Sequence, residues 1–252
     1  MVSVMDNNGA FTERHQHGAC GHQVLGDDCR FCSIRRLSVC SALDQDELSF
    51  LEGMSGDAVF DEKSTLFREE DDSISVFNIT AGVVRLVRSL SDGRRQITGF
   101  ALPGDFLGLA LEKSWRFSAE AVTEVKACRF KRSTFDDFSE KKPHLMKRMH
   151  EFATHELSLA QDHMVLLGRL TAEEKIASFL VLMKRRWTRV EGHELGLIRL
   201  PMGRQDIADY LGLTIETVSR VINQMQRDRK LVIVPDGIRF VDVDYFEHHA
   251  LI

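Results

Sequence analysis

The segment RQDIADYLGLTIETVSRVINQMQRD, residues 204–228, constrains this chain more than any other. A first helix over about Arg204 to Tyr210 is followed by Gly212, which permits a tight turn, and by Thr214, which can cap a second helix. In that second helix Ile215, Val218, Ile222 and Met225 recur at spacings of three and four, so they are expected to face the first helix. Glu216, Ser219, Arg220 and Asn223 then fall on the opposite side. An apolar side turned to a partner helix and a polar stripe turned outward is the helix-turn-helix arrangement, whose second helix enters the DNA major groove. The stripe has the matching chemistry. Arg220 can donate two hydrogen bonds to guanine O6 and N7, Glu216 can accept from cytosine N4, and Ser219 can read either kind of edge. An ordinary helical hairpin with a solvated face is the plain alternative. It is weakened by LVIVPDGIRFVDV (231–243), which reads as a strand, a Pro235-Asp236-Gly237 turn and a second strand. A hairpin directly after a recognition helix makes a winged helix-turn-helix.

A net charge of −5 excludes a globally basic DNA binder. It leaves room for a local basic face, because residues 169–252 carry 13 Lys and Arg against 12 Asp and Glu while the preceding 168 residues are net −6. No apolar run approaches the roughly 20 residues of a membrane span. The start MVSVMDNNGAFTERHQHG has no apolar stretch of the secretory kind, so a soluble, cytoplasmic protein without a membrane partner is expected.

Upstream, the sequence predicts an α+β architecture in four parts. Residues 1–28, rich in Gly, Asn, Asp and His, read as a mobile arm. Residues 29–138 hold a cysteine cluster, a short helix capped by Asp44 with Leu43, Leu48 and Leu51 on its apolar side, and a β region over 57–138. There ISVFNIT (74–80), VVRLVRS (83–89), RRQITGFAL (94–102) and AEAVTEVKACRFKR (119–132) are strand-like. Ser91-Asp92-Gly93 is a hairpin signal, and the spacing suits a small barrel or roll. Residues 139–168 turn helical. Leu145, Met149, Phe152, Leu159/Ala160 and Leu167 approximate a heptad stripe over 141–167, which suits the seam of a homodimer; a helix packed on its own barrel is the alternative. Glu156 and Asp162 are expected near that stripe, where like charges from two chains would oppose. Residues 169–252 form a mostly helical domain, opened by Thr171 capping AEEKIASFLVLMKRRW and closed by the hairpin.

Four of the five cysteines lie within 21 residues: Cys20, Cys29, Cys32 and Cys40. An odd count without a secretory leader argues against a disulfide framework. Cys29, Cys32 and Cys40 are spaced C-x2-C-x7-C, and the x2 spacing lets two sulfurs turn toward one centre. Thiolates are soft ligands that favour iron–sulfur clusters, zinc or Cu(I). Cys128 is the remaining cysteine outside the arm, and Phe130 would share its strand face. His15, His17, His22 and the His248-His249 tail read as solvated, with His22 joining the cysteines in the zinc alternative.

The segments DGRRQITGFALPGDFLG, LLGRLTAEEKIASFL and DIADYLGLTIETVSRVINQMQ resemble the CRP/FNR family of dimeric bacterial transcription regulators, over about residues 29–245. The resemblance implies a cyclic-nucleotide-binding-like β-roll, a long dimerisation helix and a C-terminal winged helix-turn-helix, in that order. Within the family the chain is most similar to the oxygen-responsive FNR proteins, particularly the FnrN/FnrL/FixK group of α-proteobacteria. FNR proteins carry E-x-x-S-R in the recognition helix, which here is Glu216, Ser219 and Arg220. The resemblance implies inverted sites of the form TTGAT-N4-ATCAA, RNA polymerase as a partner, and control of microaerobic and nitrogen-fixation genes. It also implies one [4Fe–4S] cluster per subunit on Cys29, Cys32, Cys40 and Cys128, with Cys20 as the extra cysteine of some relatives. Oxygen would act on that cluster and weaken the dimer. Zinc on the same cysteines, giving a DNA binder without an oxygen response, is the alternative. Cyclic nucleotide is not expected. Gly104-Asp105 stands where the cyclic-AMP branch has Gly-Glu, and Arg116-Phe117-Ser118 breaks its Arg-Ser pair. No nucleophile–base pair or phosphate loop points to an enzyme.

Overall fold

The computed structural model describes residues 29–109, 112–194, 196–235 and 237–251. The expected arm over 1–28, with Cys20, His15, His17 and His22, lies outside them, as does Asp236 of the hairpin turn. The chain forms two compact units. One takes the chain up to Leu86 and Phe100–Ala153, and the other takes Val87–Gly99 and the chain from Thr154.

In the first unit, two 3-10 turns at Cys29–Phe31 and Val39–Ala42 lead into α1 (Gln45–Met54). Asp44 caps α1 as the sequence predicts. Its carboxylate accepts from the Glu47 amide at 2.9 Å, and Glu47 reaches back to the Asp44 amide at 3.1 Å. Leu43, Leu48 and Leu51 are buried beneath it. The strands follow as β1 (Ser55–Phe60), β2 (Thr65–Phe67), β3 (Ser75–Ala81), β4 (Val84–Ser89), β5 (Arg95–Ala101), β6 (Phe106–Leu107), β7 (Ser118–Ala121) and β8 (Val125–Lys131). They make two four-stranded sheets, ordered β1-β8-β3-β6 and β2-β7-β4-β5. The hairpin at 91–93 closes as expected: Gly93 takes φ 85° and the Arg94 amide donates to Asp92 Oδ1 at 3.0 Å.

Strand alternation splits the core. Phe77 and Ile79 of β3, with Val125 and Ala127 of β8, join an interior cluster containing Phe67, Trp115 and Ala119. The other face of the same strands, with Val76, Cys128 and Phe130, packs with Leu48 and Leu51 of α1. At Arg132 the expected β region turns into α2 (Arg132–Glu140), which buries Phe135 and Phe138. Its two phenylalanines, three residues apart, were the available helical signal.

The long helix, α3 (Pro143–Arg169), has 27 residues. Leu145 and Phe152 are buried, and Met149 packs against the same core. The first half of the predicted seam is therefore spent inside this chain. The uncovered stripe is one step round the helix. Met146, Leu157 and Met164 are 45%, 59% and 65% exposed, with exposed His150, Ala153 and Ala160 completing a 4-3-4-3-4 spacing. Glu156 borders this stripe, whereas Asp162 lies on the far side beside half-buried His163.

The second unit continues with α4 (Ala172–Glu191). Thr171 and Glu174 form its capping box, and Gly192 ends it at φ 80°. β9 (Ile198–Arg199), α5 (Arg204–Leu211), α6 (Ile215–Arg227), β10 (Leu231–Val234), β11 (Gly237–Phe240) and α7 (Val243–His249) follow. The small sheet runs β10-β11-β9. A Cβ on Gly237 would meet the Ile198 carbonyl oxygen at 2.0 Å, so the strand packing itself demands glycine there. The domain does not end in the hairpin as predicted. α7 folds back, with Phe246 fully buried and stacked on Phe240 at 3.7 Å. His248 and His249 are exposed on it. Among the described residues, no helix is long and apolar enough to cross a membrane.

Candidate DNA-reading face and cysteine site

The helix-turn-helix forms where the sequence places it. Ile207, Ala208 and Leu211 of α5 are buried, and so are Val218, Ile222 and Met225 of α6. Gly212 makes the turn at φ 61°. Thr214 Oγ1 accepts from the Thr217 amide at 3.2 Å and starts α6. Ile215 departs from expectation. It is 38% exposed. Glu216 and Arg220 are exposed and Ser219 is half-buried on the same side. The backbone at Glu216 and the Thr214 hydroxyl hold the Glu216 carboxyl below its ordinary range. The face thus offers a fixed anion one turn before a long, exposed guanidinium.

α5 is anchored by residues far away in sequence. Arg95 Nε pairs with Asp209 at 2.5 Å, and Arg95 Nη2 pairs with Asp206 at 3.2 Å. Gln96 Nε2 donates to the Tyr210 carbonyl at 3.2 Å. His163 Nε2 donates to the same carbonyl at 2.9 Å and stacks on the Tyr210 ring at 4.2 Å. Burial pushes the His163 imidazole below its ordinary value, so it is held neutral. No local pattern announces these contacts, since the partners lie 47 to 114 residues apart.

The cysteine site is built by three elements. Cys29 opens the first 3-10 turn and Cys32 follows it, Cys40 sits in the second, and Cys128 lies mid-strand in β8. The Ser38 hydroxyl accepts from the Cys40 amide at 3.3 Å and sets the second turn. All four cysteines line one cavity. Cys29 and Cys128 are buried, and Cys32 and Cys40 half-buried. Leu51 and Phe130 supply hydrocarbon walls, and Ser55 and Asn78 add polar atoms. β8 pairs Cys128 with Asp57 of β1 on one side and with Asn78 of β3 on the other. Asn78 is 1% exposed, and its Oδ1 has no hydrogen-bond partner. Sequence reasoning did not single out Asn78. Among the described residues, no three Cys, His, Asp or Glu side chains stand close enough as placed to hold a metal ion. The donor set itself, four cysteines on one largely apolar cavity, fits a thiophilic group such as an iron–sulfur cluster.

Inside the roll, Phe67 stacks on Trp115 at 3.6 Å and on Phe77 at 5.9 Å, with Phe117 and Phe60 beside them. Arg116 is occupied by Glu112 at 2.5 Å.

Residues 58–142 match the cyclic nucleotide-binding domain, and residues 174–248 match the Crp-like helix-turn-helix domain. A sensor-type β-roll followed along the chain by a winged helix-turn-helix defines a class, the DNA-binding transcription regulators. The chain belongs to the CRP/FNR family. Within it the resemblance is to α-proteobacterial regulators of the FNR type. It is 48% identical to the transcriptional activatory protein AadR of Rhodopseudomonas palustris, over 86% of this chain and 90% of that protein. It is also 48% identical to the nitrogen fixation regulation protein FixK of Bradyrhizobium diazoefficiens, over 86% and 91%. The structure of FixK2 from Bradyrhizobium japonicum superposes with a TM-score of 0.73 at 34% identity, covering 79% of this chain and 98% of that one.

Proposed function

We propose that this protein is an oxygen-responsive transcriptional activator. In this reading it binds TTGAT-N4-ATCAA-like promoter sites as a homodimer and holds a [4Fe–4S] cluster on Cys29, Cys32, Cys40 and Cys128. The observation that carries the proposal is the meeting of all four cysteines on one cavity, although Cys128 lies 88 residues beyond Cys40. When bound, the cluster supplies an oxygen-labile centre. The chain does the rest. Cys29, Cys32 and Cys40 fasten the N-terminal turns to β8 through Cys128, beside the core that also takes up Leu145 and Phe152 of α3. The remaining stripe of α3, from Met146 to Met164, meets its copy, and two recognition helices present Glu216, Ser219 and Arg220 to the two half-sites. The bound dimer contacts RNA polymerase. The activator role and a place in nitrogen-fixation control are supported by the names of the AadR and FixK relatives. The packed aromatic interior of the roll, with Arg116 tied to Glu112, supports a regulator that does not use cyclic nucleotide.

The test is the absorption spectrum, iron and sulfide of protein purified without oxygen, followed during titration with air. A broad band near 400–420 nm that bleaches, with about four iron per chain, is expected. Cys128→Ser should lose the band and the anaerobic DNA binding together. Colourless or zinc-bearing protein that still binds DNA would replace this reading with a cluster-free regulator.

A further inference from the structure

Asn78 places a carboxamide in a wall made largely of hydrocarbon and sulfur. It is 1% exposed, its Oδ1 is unpartnered, and it stands directly opposite Cys128 across the β3–β8 ladder. Cross-strand partners of this kind project from the same face of the sheet with their Cβ atoms about 5 Å apart. It also lines the cavity that the four cysteines line. A buried amide without a partner destabilises a fold, and such a group calls for an account of what satisfies it. A carboxamide carries an acceptor and two donors, exchanged by turning the amide over. Either end therefore has a use beside sulfur: Oδ1 accepts from a thiol, and Nδ2–H donates to a thiolate or a sulfide.

We propose that Asn78 is the hydrogen-bonding partner of sulfur in this cavity, a positioning residue that donates Nδ2–H to Cys128 or to cluster sulfide and thereby sets how readily the cluster is oxidised. The inference rests on the cluster reading above. A donor to sulfur offsets negative charge and so favours the more reduced state. Its removal lowers the reduction potential and speeds loss of the cluster in air.

The experiment compares wild type, Asn78→Leu and Asn78→Gln, each loaded with iron and sulfide without oxygen. Asn78→Leu should take up the same iron and sulfide, show a more negative reduction potential, and bleach several-fold faster in air. Asn78→Gln, which keeps the donor, should recover part of both effects. Without iron, Asn78→Leu should melt no lower than wild type, because the unpartnered Oδ1 is gone. Equal potentials and equal bleaching in all three proteins overturn the inference and leave the cluster reading intact. So does an iron-free Asn78→Leu protein that loses as much stability as the loaded one, since the amide would then be purely structural. If Asn78→Leu does not fold, the shift of the iron–sulfur stretching bands on transfer to heavy water decides, measured on wild type and Asn78→Gln. Its absence in both overturns the proposal. Wild type that takes up no iron overturns the cluster reading and this inference with it.

Discussion

Arg220 is exposed on α6 one turn after Glu216, and in the proposed function it is the side chain that reads a guanine. A guanidinium that forms two hydrogen bonds to one guanine discriminates by geometry, so its loss removes specificity as well as affinity. Arg220→Ala should cost about 1–3 kcal/mol on the cognate site and relax the preference at the contacted guanine. Titrations of matched and single-base-changed duplexes at fixed salt measure this. An equal loss on random DNA would mean that Arg220 touches phosphate only. The polar stripe Glu216, Ser219 and Arg220 was readable in the sequence because helical spacing alone puts those positions on one side. The exposure of Ile215 was not, because periodicity does not say where along α6 the contact with α5 begins.

Between elements, the tie from α1 to the start of α3 is electrostatic. Glu47 accepts from Lys142 Nζ at 2.7 Å and lies 2.9 Å from His144 Nε2. The Lys142 bond, with the Asp44 amide and His144, lowers the Glu47 carboxyl to about 2. The unfolded chain protonates this group near the ordinary 4.5, so the folded state binds fewer protons between those values. The stabilisation is therefore complete above pH 4.5 and fades as the pH falls toward 2. Glu47→Gln should lower the melting temperature at neutral pH, and the gap to wild type should close across that interval. A gap independent of pH would rule out the ion pair as its source. A second tie works in the opposite chemical sense. His163 is neutral against the Tyr210 carbonyl, and burial lowers its pKa below 6.5, so its contribution is whole above pH 6.5 and declines as the pH falls through and below that value. His163→Gln should flatten the acid limb of stability in this unit, as read by thermal melts from pH 7 to 5. An unchanged limb would mean that the imidazole titrates alike in both states. Neither tie is visible in the sequence, where the two partners of each are 47 to 97 residues apart.

For the whole molecule, the question is which side of α3 meets a second copy. Leu145 and Phe152 are consumed by the chain's own core, and the stripe from Met146 through Leu157 to Met164 is exposed and, in the proposed function, forms the seam. Leu157→Lys should raise the dimer dissociation constant by about tenfold or more, since each chain loses a leucine whose burial contributes about 1.5–3 kcal/mol. Folding should be unaffected, because Leu157 is 59% exposed in the single chain. Sedimentation of the loaded protein checks this, and an unchanged dimer would place the seam elsewhere.

Local signals along the chain are enough to specify the Asp44 and Thr171 caps, the hairpin at 91–93, the alternating strands, the helix-turn-helix and the C-x2-C-x7-C spacing. Each depends on neighbours within a few residues, where backbone geometry and side-chain period leave little choice. Packing in three dimensions settles which stripe of α3 is spent inside the chain, that α7 closes the second unit over Phe246, that Arg95 clamps Asp206 and Asp209, and that Asn78 stands opposite Cys128. An apolar stripe states that a face will be buried but not against what. A polar side chain carries no mark of its partner until the sheet registers and the core packs, because those contacts join residues that the chain holds far apart.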